Sequence, residues 1–304
     1  MLESIGTILV ATDFSELSTA AVKSAASLAM PDNAAVHLLH VIRLPIVHTT
    51  YDVNVPEAVW KGIRQGTRER MAEGLQILHD AGVTDVETII SEYLPPAEAI
   101  AKAARELDAD LVVMATHGRR GFKHAFLGSV TERTLRTSPV PVLATKGNGL
   151  PPGPLKKILL STDFSGHSRH AQHLACALAK RSGAHIDVVH VLNEIPEYLA
   201  YDSAEANDYE IQARAIAGEH LDSVGNQIQN SNLSTKTHIC KGVAPDVIAQ
   251  AADRLGSSLI VMGTHGHTGF SHAMLGSVAE RTLRLAPCSV LTTHEPEDAT
   301  SKGN

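Results

Sequence analysis

The chain repeats itself. Residues 109–143 realign on residues 257–291 without a gap, and 22 of the 35 positions are identical. Upstream, ILVATDFSELS at 8–18 returns as ILLSTDFSGHS at 158–168, with seven of 11 identical. A period this long is a duplicated domain, because solenoid units run to about 20–50 residues. Packing needs only apolar positions to persist. The two copies also share Asp, His, Gly and Ser, as a common ligand chemistry would require.

The length of 304 residues fits two domains. The repeat places them at 1–146 and 155–296, joined by a Gly- and Pro-rich linker at Lys146–Pro154. A formal charge of −7 argues against a sequence-independent nucleic-acid binder, whose affinity rests on Lys and Arg against phosphate. At 4% aromatics the chain also lacks stacking platforms for single strands. No apolar run reaches the ~18 residues of a membrane span, and Glu3 and Asp13 stand where a signal peptide has a basic head and apolar middle. The expectation is a cytoplasmic protein. Three scattered cysteines without a CxxC pair read as reduced, buried thiols.

Each copy opens with a short apolar run, Thr7–Ala11 or Lys157–Leu160, ending in Thr-Asp-Phe-Ser. An Ala-rich helical pattern follows, with Ser15 and Ser165 placed as N-caps. Ala35–Val41 and His185–Leu192 read as buried strands, and 55–80 and 204–230 have helical spacing. Val86–Ser91 or Thr235–Cys240, Leu111–Ala115 or Leu259–Gly263, and Val140–Ala144 or Ser289–Thr293 are the remaining strands. Helices at Ala97–Leu107 or Pro245–Leu255 and at Val130–Arg136 or Val278–Arg284 separate them. Five strands alternating with helices predict an α/β domain with a parallel sheet and right-handed crossovers. Ligands on such sheets lie beyond the carboxyl ends of the strands, where Asp13, Asp163 and the Gly-rich loops fall.

The fourth strand ends in Ala115-Thr-His-Gly118, followed nine residues later by Gly128-Ser129; the second copy reads Gly263-Thr-His-Gly266 and Gly276-Ser277. Glycines allow positive φ and close approach of backbone to ligand. Gly-Ser opening a helix offers free N–H groups, a hydroxyl and the positive end of the dipole, which together favour phosphate. A second reading needs no ligand. Ser129-Val-Thr-Glu132 and Ser277-Val-Ala-Glu280 each spell a capping box. The long Gly-spaced loop favours phosphate, since a plain cap needs no such loop.

The pattern G-x2-G-x9-G-[ST] after the fourth strand, an Asp after the first and His-Val on the second resemble the universal stress protein family, in its tandem-domain, ATP-binding type. The resemblance spans nearly the whole chain. It implies two Rossmann-like domains with strand order 3-2-1-4-5, pairing through the last strand, and ATP as the cofactor with Mg2+ as an optional companion. Asp13 and Asp163 would contact adenosine, and the backbone at Val41 and Val191 the adenine edge. Gly118, Gly128, Ser129, Gly266, Gly276 and Ser277 would hold ribose and phosphates. Ala115, Arg119 and Val130 complete the implied set in one copy, and Gly263, His267 and Val278 in the other. Ala115 departs from the motif's first glycine, and its methyl is tolerable only at negative φ with room left by the ligand.

The loops differ in charge: Arg119, Arg120 and Lys123 in the first copy face His267, Thr268 and Ser271 in the second. Arg pairs bidentately with phosphate. His117, His124, His265 and His272 recur in both copies without metal-ligand spacing, and His40 and His190 read as satisfied core histidines. The resulting expectation is a nucleotide-dependent regulator or sensor in stress response, forming a homodimer and engaging a protein partner. A slow ATPase or self-phosphorylating enzyme is one rival. A dimerisation scaffold with empty pockets is the other. Neither loop supplies an obvious general base, so no catalytic residue is named.

Overall fold

The computed structural model describes residues 4–43, 56–92, 94–117, 127–193, 204–265 and 275–293. In the first half, strands β1 (Thr7–Ala11), β2 (Ala35–Ile42), β3 (Val86–Glu92), β4 (Leu111–Ala115) and β5 (Val142–Thr145) alternate with helices α1 (Glu16–Ala29), α2 (Glu57–Asp80), α3 (Pro96–Glu106) and α4 (Ser129–Thr137). The second half repeats this with β6 (Lys157–Ser161), α5 (Gly166–Ser182), β7 (His185–Leu192), α6 (Ala204–Asn230), β8 (Thr235–Lys241), α7 (Ala244–Leu255), β9 (Leu259–Gly263), α8 (Ser277–Leu285) and β10 (Ser289–Thr293). As read from the sequence, Ser15 and Ser165 are the N-caps of α1 and α5.

Each half is a five-stranded parallel sheet in the order 3-2-1-4-5, and the two join edge to edge into ten strands, β3-β2-β1-β4-β5-β10-β9-β6-β7-β8. The seam is antiparallel, with Val290 opposite Ala144, Leu291 opposite Leu143 and Thr292 opposite Val142. The anticipated pairing of the last strands therefore occurs within one chain. It buries the edge that each half would otherwise expose. β5 starts later than the apolar run at Val140: the Ser138 hydroxyl accepts the Val140 N–H and donates to its carbonyl, and Pro141 has no N–H for a ladder.

Alternation along the strands feeds two apolar layers. Ile8 and Val10 pack under α1 and α2, whereas Leu9 faces α3 and α4; in the second half Ile158 and Leu160 oppose Leu159 in the same way. The first layer is continuous across the seam, bringing Leu28 and Leu143 together with Leu174, Leu178 and Leu291. The linker is anchored at one point although most of it is exposed. Leu150 and Leu155 are buried, and the Leu150 N–H donates to Ser24 Oγ at 2.8 Å. Gly149, at φ +80°, lies so close to Ser24 and the Ala20 carbonyl that no side chain fits there.

Candidate nucleotide site

Both first strands end in the same strained turn. Thr12 N–H donates to the Leu39 carbonyl (2.9 Å), Phe14 N–H to Thr12 Oγ1 (3.0 Å), and both the N–H and hydroxyl of Ser15 to Asp13 Oδ1 (3.1 and 2.6 Å). In the second copy Asp163 Oδ1 accepts from Ser165 N–H at 3.0 Å. The carboxylate thus orients the residue that caps the helix and does not cap it directly. Phe14 and Phe164 sit at φ +62° and +67°, a conformation costing about 1–3 kcal/mol for a bulky residue and characteristic of constrained functional turns. Stacking offsets the strain: Phe14 lies 4.2 Å from the His40 ring with Arg70 5.7 Å away, and Phe164 lies 4.4 Å from His190 and 5.1 Å from His220. His40 and His190 each donate Nδ1–H to the Thr12 or Thr162 carbonyl, at 2.8 and 2.9 Å, so both are satisfied as expected but half-buried at the edge of the core.

The backbone brings the other groups around a crevice. Leu39 turns its carbonyl to β1, so Val41, two residues on, turns its backbone the same way, past the end of β1 at Ala11. Val191 has the same relation to β6, because Val189 accepts from Thr162 N–H at 3.0 Å. On the other flank Thr116 N–H binds the Thr145 carbonyl of β5 at 3.0 Å, which turns the Ala115 carbonyl to the β1 side. The gap between β1 and β4 is where the strand order reverses. It is the place where open α/β sheets take ligands.

The helices beyond the loops correct two expectations. The caps of α4 and α8 are Gly128 and Gly276, with Ser129 and Ser277 already inside the first turn, so neither Ser-x-x-Glu forms a capping box. Glu280 instead pairs with Arg284 along α8. Glycine caps have no side chain to offer, so the first-turn N–H groups at Ser129, Val130, Ser277 and Val278 open onto the crevice side without a side-chain cap. Positive φ is not what these glycines provide either: Gly128 and Gly276 have φ −62° and −61°. They allow close approach to the strand end. Each donates its N–H to the Thr116 or Thr264 carbonyl at 2.9 Å, and a Cβ at Gly276 would stand 2.6 Å from that oxygen.

Ala115 keeps a regular strand conformation and is buried, so its methyl is accommodated. At Gly263 the missing side chain also makes room for a helix: a Cβ there would meet Cβ of His167 at 2.9 Å and its carbonyl carbon at 3.1 Å, on the first turn of α5. The His167 ring also lies 5.4 Å from His265. Gly118, Arg119, Arg120, Lys123 and His124, and Gly266, His267, Thr268, Ser271 and His272, lie outside the described residues.

Sequence reasoning missed three groups here. Phe14 and Phe164 were visible only as part of a repeated tetrapeptide. Thr131, whose hydroxyl donates to the Ala115 carbonyl at 2.9 Å, was hidden inside the supposed capping box. Lys146 looked like linker, yet its ammonium donates to the Arg284 carbonyl of α8 at 2.7 Å. Burial holds the Lys146 ammonium below its usual pKa, and burial with the charge of Lys146 does the same to His117. Among the described residues no helix is long and apolar enough to cross a membrane.

Comparison with known proteins identifies the family and the fold. The model of the universal stress protein family matches residues 4–146 and again 154–294. Universal stress protein E of Photorhabdus laumondii is 27% identical over 269 residues, covering 82% of this chain and 83% of that protein. Its Escherichia coli K12 counterpart is 26% identical over 271 residues, covering 82% of each. A universal stress protein from Archaeoglobus fulgidus shares the fold with a TM-score of 0.73 at 22% identity, over 96% of this chain and 97% of that one.

Proposed function

The chain belongs to the universal stress protein family, and from that footing we propose that its two crevices bind ATP and that occupancy makes it a nucleotide-dependent regulator in the cytoplasm. The observation that carries this reading is the uncapped first turn of α4 and of α8, set at the carboxyl end of the sheet beside a strained Asp-bearing turn. Phosphate would be held by the N–H groups and hydroxyls of Ser129 and Ser277, where the helix dipole favours an anion. Gly118, Arg119, Gly266 and His267 would add to the phosphate end. Adenine would lie against the backbone of Val41 or Val191, and Asp13 or Asp163 would contact the sugar. The donor set fits a magnesium nucleotide, since it offers N–H and hydroxyl groups to phosphate oxygens and leaves a metal to the phosphates themselves.

The two domains, 1–146 and 155–296, pair through β5 and β10 inside one chain. A homodimer would therefore be built on another surface. Mass spectrometry of small molecules released from the protein purified from cells tests the reading directly, supported by calorimetry with ATP. Recovery of ATP or ADP supports it; a protein that carries no nucleotide and gives no heat with ATP sinks it.

A further inference from the structure

The two crevices share their frame but, besides Ala115 against Gly263, differ at a buried position in the first turn of the last helix. Thr131, the third residue of α4, is 3% exposed and donates its hydroxyl to the Ala115 carbonyl at 2.9 Å. The aligned residue of α8 is Ala279, 2% exposed, which has no hydroxyl. The carbonyl at stake faces the ligand crevice in both halves. Thr264 N–H binds the Thr293 carbonyl at 2.9 Å on the β10 side, so the Gly263 carbonyl, like that of Ala115, turns toward the crevice past the end of the first strand. In the first half the acceptor is engaged by the protein's own hydroxyl; in the second it is left to the ligand.

We infer that the residue at 131 and 279 sets ribose recognition, with Ala279 leaving the Gly263 carbonyl as an acceptor for a ribose hydroxyl and Thr131 competing for the equivalent carbonyl of Ala115. This rests on the proposed ATP-binding reading. The placement follows from the order of groups across the crevice: the Val backbone at one side, the helix N-terminus at the other, and the β4 or β9 carbonyl between them. A nucleoside phosphate laid along that line puts its sugar at the carbonyl. Gly263 is only partly buried, so its carbonyl stays open to a ligand, and a ribose hydroxyl that meets it gains a hydrogen bond the protein does not already fill. A carbonyl can accept twice, so Thr131 weakens the second bond and does not forbid it.

The test uses the full chain with one crevice closed at a time by a carboxylate in the exposed first turn, Ser129→Glu or Ser277→Glu. With the first crevice closed, Ala279→Thr lowers ATP affinity about three- to tenfold, the size of one hydrogen bond. Ala279→Val adds the same bulk without a donor and changes it less than about twofold. With the second crevice closed, Thr131→Val raises affinity by a similar three- to tenfold. Repeating the Ala279→Thr titration with 2′-deoxy-ATP and 3′-deoxy-ATP identifies the hydroxyl, because the effect disappears with the analogue that lacks it. Equal weakening by Thr and Val at 279, or an Ala279→Thr effect that persists with both analogues, overturns the inference while leaving ATP binding intact. No ATP binding by the unmodified chain overturns the functional reading itself.

Discussion

Arg181 Nε lies 3.0 Å from Asp32 Oδ2, tying the last turn of α5 in the second half to the turn after α1 in the first. The same carboxylate oxygen accepts the Ile5 N–H at 3.0 Å, and both side chains are more than four-fifths buried. Neither copy makes this pair within itself, since the aligned residues are Pro31 and Ser182. Divergence of the repeat thus produced a contact specific to the joined chain. Asp32→Ala is expected to lower stability by about 2–3 kcal/mol, because it removes the carboxylate that the buried Arg181 guanidinium and the Ile5 N–H share. Replacing both residues, with Arg181→Met, should cost less than the two single changes added, as a double-mutant cycle by chemical denaturation would show.

The seam between the halves gives a second expectation. Ala144 faces Val290 in the antiparallel ladder, in the middle of a ten-stranded sheet. Ala144→Pro removes a ladder donor and introduces a ring against the neighbouring strand, which should destabilise the seam by about 3 kcal/mol. Limited proteolysis then cuts the 146–154 segment faster than in the parent, while each half keeps its far-ultraviolet dichroism. Unchanged cleavage would mean that the α1–α5 layer alone holds the halves together.

At the second crevice the two glycine-serine positions should separate cleanly. Ser277 is exposed in the first turn of α8, where a carboxylate is favoured by about 0.3–1 kcal/mol. Ser277→Glu should therefore fold normally and lose at least about tenfold in ATP affinity through repulsion of phosphate. Gly276→Ala, by contrast, drives a methyl against the Thr264 carbonyl and should cost about 1–3 kcal/mol of stability whether or not ligand is present. Thermal shift with and without ATP distinguishes the two behaviours.

Two groups near the seam set a pH profile. His117 is held below its ordinary pKa of 6.5, first by burial and then by the charge of Lys146, so it stays neutral when the unfolded chain begins to take up a proton. The stability it contributes is present above pH 6.5 and lost as pH falls below it. Thermal unfolding of His117→Asn should lose less between pH 7.5 and 5.5 than the parent does.

Cys288 shows the opposite sense. Burial raises its thiol from 9.0 to about 12, with Lys146 and a backbone hydrogen bond at Ile260 opposing the rise. The contribution is complete below pH 9 and is lost as pH climbs from there toward about 12. Iodoacetamide at pH 8 should leave Cys288 unmodified in the folded protein, as peptide mass spectrometry after labelling can establish. Rapid alkylation there would contradict the burial.

Much of this protein was settled by local chemistry that a sequence displays. The duplication, the five alternating strands and helices of each copy and the Ser15 and Ser165 caps follow from periodicity, capping and apolar context, which act over a few residues. The seam between Val140–Ala144 and Ser289–Thr293 was anticipated as well, because an unpaired edge must be covered. Local patterns did not determine what each polar group would meet. Ser-x-x-Glu satisfied the rule for a capping box, but the strand-end carbonyls of Thr116 and Thr264 draw Gly128 and Gly276 into the cap position and shift both serines inside the helix. Gly263 was read for its place in the ligand motif, and its need to make room for the first turn of α5 was not legible in the sequence. Lys146 and Thr131 acquired partners 138 and 16 residues away along the chain. Such contacts depend on how the strands register and where the helices dock, and those are set by the packing of the whole core rather than by any segment that contributes to it.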